Sequence, residues 1–140
     1  MASVEREALI GAKAEDCWAA LRDFGAVHER LVPGFVTALT SVGPREREVT
    51  FFTGAVATEC LVGVDEPSMR LAYTVTRSQL GTSHHNSSAQ VIPDGPEQCR
   101  FVWTTDVLPD ELGERIGALM DRGLPVIKAT LESLNGTAPQ

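Results

Sequence analysis

Residues 99–134 read CRFVWTTDVLPDELGERIGALMDRGLPVIKATLESL, and this stretch decides the fold. Its first part alternates in character, because Phe101 and Trp103 lie on one face of an extended segment while Arg100 and Thr104 lie on the other. Such a period of two predicts a strand over residues 99–107 with one buried face. We expect Phe101 and Trp103 to be buried against the helix that follows.

The second part of the same stretch predicts one long helix over residues 110–134. Pro109 marks the change of structure, and apolar residues then recur at helical spacing. Gly123 and Pro125 interrupt this pattern, and a proline inside a helix removes a backbone hydrogen bond and kinks it. We therefore expect the helix to cover the sheet and to bend away from it near these two residues.

Upstream of this stretch, alternating segments separated by Gly and Pro turn signals predict six more strands. The predicted strands are residues 4–10, 36–42, 48–53, 55–64, 70–77 and 83–92, and the predicted short helices are residues 14–24 and 27–31. The element order is typical of an α+β antiparallel meander with one buried face. Such a sheet either collapses onto its one long helix or curls around it and leaves a cavity.

Composition limits the classes of partner. The chain has 140 residues, of which 43% are hydrophobic and 22% charged, with a net charge of -7. This net charge argues against a nucleic acid or an anionic membrane as partner, because both attract surfaces with clustered Lys and Arg. No apolar run reaches the roughly 18 residues of a membrane-spanning helix, and the opening MASVEREALI lacks an export signal. We expect one cytoplasmic domain over residues 1–140, with no nucleic-acid binding and no membrane insertion.

The sequence predicts neither a metal site nor a cofactor. Cys17, Cys60 and Cys99 are odd in number and widely spaced, which is typical neither of a disulfide framework nor of a zinc site. His84 and His85 are adjacent in a predicted strand, so their side chains point to opposite faces and suit one metal poorly. Motifs for nucleotide binding, a nucleophilic serine or a catalytic zinc are not found in the sequence.

Short motifs in a fixed order carry a family resemblance. They are residues 14–18 (AEDCW) and 21–24 (LRDF), Gly54 and Glu59, residues 70–73 (RLAY), residues 91–95 (VIPDG) and residues 102–104 (VWT). Over about residues 3–134 the chain resembles the SRPBCC superfamily of START-like, helix-grip proteins, in particular its polyketide cyclase/dehydratase-like branch. The resemblance implies a seven-stranded antiparallel sheet curled around the C-terminal helix, with two short helices between strands 1 and 2. It also implies an apolar cavity between sheet and helix, gated by the loop around Gly54.

Within that cavity we expect a set of side chains that bind a ligand. The candidates are Phe51, Glu59, Tyr73, Val75, His85, Phe101, Trp103 and, on the long helix, Met120. Glu59 points inward if Ala57 and Leu61 do, and outward if Val56, Val62 and Val64 form the inner set, and the sequence leaves both open. His85 shares its face with Ser87, Ala89 and Val91, and is either a ligand partner or a structural residue. We expect the cavity to open beside the Gly54 loop.

The predicted function is binding of a small, largely hydrophobic molecule in this cavity, as a ligand-binding or carrier module. An alternative is a polyketide cyclase/dehydratase-like enzyme that uses the same cavity, with Glu59, His85 or Tyr73 as proton donor or acceptor. A third reading is a partner-binding protein like the chaperone-activator homologues of the superfamily. The sequence does not decide whether the protein forms a homodimer.

Overall fold

Antiparallel pairing joins the strands into one sheet in the order β1-β7-β6-β5-β4-β3-β2. The computed structural model of the chain describes residues 2–135. Strands β2 to β7 are each beside their neighbours in sequence, and β1 closes the sheet beside β7. The strands are β1 (Ala2–Ile10), β2 (Val36–Gly43), β3 (Glu46–Phe51), β4 (Val56–Asp65), β5 (Arg70–Arg77), β6 (His84–Pro93) and β7 (Cys99–Leu108).

Three helices complete the fold. Helices α1 (Ala14–Arg22) and α2 (Val27–Arg30) lie between β1 and β2, and a 3-10 turn at Asp110–Leu112 leads into α3 (Gly113–Asn135). Around α3 the sheet is curled, which confirms the predicted α+β helix-grip architecture. Predicted and observed ends differ by about two residues, the usual uncertainty of an element boundary, except that the last helix begins with the 3-10 turn.

The period-two pattern gives the sheet an inner and an outer face. In β7 the inward Phe101 is 1% exposed, Trp103 is partly buried and faces α3, and Arg100 on the opposite face is exposed. In β4 the inward residue is Glu59, which is 7% exposed, whereas Val62 is 56% exposed. The orientation that the sequence left open for β4 is therefore the one that turns Glu59 toward α3.

The interior consists of two apolar clusters along α3. The larger one lies between the sheet, the two short helices and the C-terminal half of α3, where Ile127 and Leu131 are buried. The smaller one packs Ile116 and Met120, near the start of α3, against the inner face of the sheet. Trp103 packs against both clusters and so marks the boundary between them.

At Gly123, α3 packs closely against aromatic side chains, so no gap opens at this point. Helix α3 continues through Pro125. A Cβ placed on Gly123 would lie 3.2 Å from ring atoms of both Phe35 and Trp103, so the helix approaches these rings closely at this point. The missing side chain of Gly123 thus brings α3 onto the aromatic residues instead of opening a gap.

Candidate functional site

A cavity of about 70 Å³ lies inside the larger cluster. The inner face of the sheet, helix α2 with the segment that follows it, and Ile127 of α3 form its wall. Most of the wall is aliphatic or aromatic, and its polar groups are the side chains of Arg47, Glu59 and Tyr73 and the indole N–H of Trp103. Such a wall, apolar with a few converging polar groups, is typical of a site for a small organic molecule.

Arg47 and Glu59 form a buried ion pair in this wall. Nε of Arg47 donates to Oε1 of Glu59 at 2.7 Å, and Nη2 lies 2.7 Å from the same oxygen. Nη1 donates to the backbone oxygen of Phe24 at 2.9 Å. The two side chains are 7% and 9% exposed, so both charges are removed from water. These hydrogen bonds offset the large cost of burying the charges.

Aromatic rings surround the guanidinium group. Its carbon atom lies 3.7 Å from the ring centroid of Phe24 and 5.1 Å from that of Tyr73, distances at which a cation is attracted to a ring face. The two rings meet edge to face with their centroids 6.3 Å apart. Arg47 is therefore fixed by an anion, a carbonyl and two rings, which gives the cavity a rigid polar end.

Tyr73 brings a neutral hydroxyl to the same cavity. Burial raises the pKa of Tyr73 to about 12, with a smaller contribution from the negative charge of Glu59, while Arg47 and hydrogen bonds with Ser87 and Trp103 oppose the rise. The phenol is therefore protonated throughout the physiological range.

Sequence reasoning missed Arg47. The predicted third strand began at residue 48, whereas β3 begins at Glu46 and includes Arg47 on the same face as Val49 and Phe51. In the β3–β4 pairing Arg47 stands directly opposite Glu59. The available signal was that Arg47 lies two residues before Val49 and so shares its inward face. The carboxylate partner of Arg47 depends on the pairing register of β3 and β4, which the sequence does not state.

The structure brings together five of the eight predicted site residues. The residues that line the cavity are Phe51, Glu59, Tyr73, Phe101 and Trp103. The three that do not are Val75, His85 and Met120. Alternation correctly identified the inward faces of β5 and β7 and left that of β4 open. It carries no information on how far along a strand a cavity lies.

Each of these three residues has another place in the fold. Val75 lines an open, mostly polar groove of about 510 Å³ with Thr58 and Arg77, where β4 begins and β5 ends. His85 stands opposite Val107, beside the smaller cluster that includes Met120. Burial lowers the pKa of His85 to about 4, with a smaller contribution from the neighbouring histidine, so its imidazole is neutral near pH 7.

The segment between α2 and β2 covers the cavity, and sequence reasoning did not identify it. Leu31, Val32 and Phe35 from this segment line the wall. The ring of Phe35 lies 5.7 Å from that of Phe51 and 5.5 Å from that of Phe52. Gly34 permits the turn, since its φ of 86° is one that other residues rarely adopt. Phe51, at the start of the Gly54 loop, is part of the wall as well.

Neither a cluster of metal ligands nor a membrane-spanning helix is found in residues 2–135. This part of the chain holds no group of three or more His, Cys, Asp or Glu side chains arranged to bind a metal ion. Across the same residues, no helix combines the length and apolar character needed to span a membrane.

Comparisons with known proteins agree with this geometry. The sequence matches the family described as "Polyketide cyclase / dehydrase and lipid transport" over residues 1–137. A search of curated proteins finds no significant match.

Solved structures share the fold over nearly the whole chain. A Thermobifida fusca protein is 29% identical over 91% of each chain, with a TM-score of 0.73. Norcoclaurine synthase from Thalictrum flavum, solved with dopamine and hydroxybenzaldehyde, is 20% identical over 99% of this chain and 88% of its own, with a TM-score of 0.76. A START superfamily protein from Mycobacterium smegmatis is 15% identical over 94% of each chain, with a TM-score of 0.73. By its sequence match and its fold, the chain belongs to the polyketide cyclase/dehydrase and lipid transport family.

Proposed function

We propose that this protein binds a small, largely apolar molecule in the cavity between the sheet and α3. The observation that carries the proposal is the cavity wall, which is apolar except for one buried ion pair, one phenol and one indole N–H. In this proposal the ligand contacts Phe51, Tyr73, Phe101 and Trp103, and its polar end faces Glu59. Val75, His85 and Met120 lie outside the site.

The volume of the cavity limits the size of a ligand that fits without movement of the wall. At about 70 Å³ it is half the size of a cavity of about 150 Å³ that accepts a benzene ring. A ligand with one ring or more therefore needs the wall to move. Phe35 is the most direct candidate, because it belongs to a connecting segment rather than to the sheet and its ring lies on Phe51.

The test is native mass spectrometry of protein purified from its own source, to detect a small molecule that co-purifies. Ala89→Leu is the informative variant, because Ala89 lines the cavity and is 3% exposed, so the added carbons fill the space. Ser88→Leu is the matched control, because it adds an apolar side chain on the opposite face of β6. We expect the bound mass to be retained in the control and lost in Ala89→Leu. A bound mass that persists in Ala89→Leu would place the ligand elsewhere.

Catalysis in the same cavity is the second candidate. It is favoured by one observation, that a carboxylate and a phenol, Glu59 and Tyr73, line one small space. It ranks second because the ion pair with Arg47 occupies the carboxylate, and a phenol with its pKa raised to about 12 transfers protons poorly near pH 7. The test is turnover of a poly-β-keto thioester. We expect Tyr73→Phe to abolish that turnover if the phenol is the acid, and unchanged product formation would exclude this role.

A further inference from the structure

We propose that the ligand is an uncharged molecule that carries a hydroxyl group, and that the Arg47–Glu59 pair selects it. This inference rests on the proposed function and names its ligand class. It starts from an asymmetry in the ion pair: both short contacts from Arg47 reach Oε1 of Glu59. Within residues 2–135 no hydrogen bond reaches Oε2 of Glu59, although the side chain lines the cavity.

The hydrogen-bonding capacity of the pair can be counted. A guanidinium group has five N–H donors. In Arg47, one at Nε and one at Nη2 face Oε1 of Glu59, and one at Nη1 faces the backbone oxygen of Phe24. Spare N–H donors of Arg47 and the Oε2 acceptor of Glu59 therefore remain at the same end of the cavity. A hydroxyl group both donates and accepts, so one hydroxyl satisfies a group of each kind.

The charge balance of the cavity wall disfavours ligands that carry a carboxylate or an ammonium group. The charges of Arg47 and Glu59 cancel within the wall, and the rest of the wall is uncharged. A ligand carboxylate would add an unpaired anion beside Glu59, and a ligand ammonium would add an unpaired cation beside Arg47. Either ion could hydrogen-bond to a spare group of the pair, but it would lose its hydration without meeting an opposite charge that is not already neutralised, which is costly in a buried site. A purely apolar ligand would enter, but it would leave the spare donors and acceptor unpaired.

The experiment is isothermal titration calorimetry with four probes of one ring each: phenol, toluene, benzoate and benzylammonium. We expect phenol to bind about tenfold more tightly than toluene, the effect of one or two net hydrogen bonds to the pair. Benzoate and benzylammonium should bind at least about tenfold more weakly than toluene. If toluene matches phenol, or if either ion binds most tightly, the inference is wrong while the proposed function stands. If none of the four probes binds to the folded protein, the proposed function itself fails.

Variants of the pair test the charge argument directly. Glu59→Gln leaves the cation of Arg47 unopposed, so we expect benzoate to become the preferred probe. Because this variant leaves a buried charge unpaired and is expected to be less stable, the combined variant Arg47→Met with Glu59→Leu gives a second test. If the pair alone selects the hydroxyl, this combined variant should bind phenol and toluene with equal affinity, because neither member of the pair remains. A phenol preference that survives in the combined variant would show that another group selects the hydroxyl.

Discussion

Removing one member of the buried ion pair should destabilise the protein more than removing both. The side chains of Arg47 and Glu59 are 7% and 9% exposed, so a lone charge left at either position cannot recover its hydration. Breaking such a pair from one side costs about 3–5 kcal/mol. A domain has a total stability of about 5–15 kcal/mol, so either Arg47→Met or Glu59→Leu should remove a large part of it.

The combined variant should recover most of this loss. Replacing both members of a buried pair by apolar residues is often neutral. Here one cost remains, because Nη1 of Arg47 also donates to the backbone oxygen of Phe24, and an unpaired buried carbonyl costs about 1–3 kcal/mol. We therefore expect the combined variant to lose about 1–3 kcal/mol, less than either single variant.

Urea unfolding followed by far-ultraviolet circular dichroism measures all four free energies of unfolding. With a slope of about 2 kcal/mol per molar urea, the single variants should shift the midpoint down by about 1.5–2.5 M. Arg77→Met is the matched control, because Arg77 is exposed and an exposed substitution changes stability by about 0.5 kcal/mol or less. Single variants that cost less than about 1 kcal/mol, or a combined variant that costs their sum, would refute the reasoning.

Three further predictions concern titratable groups. Tyr73 is the single tyrosine of the chain, so ultraviolet absorbance at alkaline pH should show it ionising near pH 12 in the folded protein. The free energy of unfolding should fall as the pH rises from about 10 to 12. Ionisation near pH 10 in the native state would contradict this. His85 should titrate near pH 4 by NMR, with its signal assigned by the variant His85→Gln. Its contribution to stability is present above pH 6.5 and should be lost as the pH falls toward 4. A titration midpoint near pH 6.5 would contradict this. Cys17 and Cys99 are fully buried with their sulfur atoms 3.6 Å apart, and this contact, together with burial, raises the pKa of Cys17. N-ethylmaleimide should therefore label the partly exposed Cys60 first. With Cys60→Ser as control, rapid labelling of native Cys17 or Cys99 would be the contrary result.

The fold was largely predictable because it depends on local patterns. The alternation of Phe101 and Trp103 against Arg100 set the face of β7, and the helical spacing after Pro109 identified α3. The close packing at Gly123 was not predicted, because a glycine in a helix either weakens it or permits a close approach, and the sequence alone does not say which use applies.

The site was predictable only in part, because a cavity depends on register and on loop packing. Strand alternation correctly placed Tyr73 on the inner face, but it left the orientation of Glu59 open. It also included His85, which lies farther along the sheet beside the smaller cluster. Arg47 was missed because its partner is defined by the β3–β4 register. Phe35 was missed because it follows a Pro-Gly turn, and the side-chain direction of a turn residue has no periodic signal.

Methyl NMR of isoleucine-labelled protein during a phenol titration tests the central claim most directly. The chain has four isoleucines, Ile10, Ile92, Ile116 and Ile127, and Ile127 is the one that lines the cavity. Ile116 lies in the smaller cluster and Ile92 is 38% exposed, so both serve as internal controls. If the cavity binds the ligand, the Ile127 methyl signal should shift and saturate while the signals of Ile92 and Ile116 stay in place. A saturating shift at Ile116 or Ile92 without one at Ile127 would contradict the account.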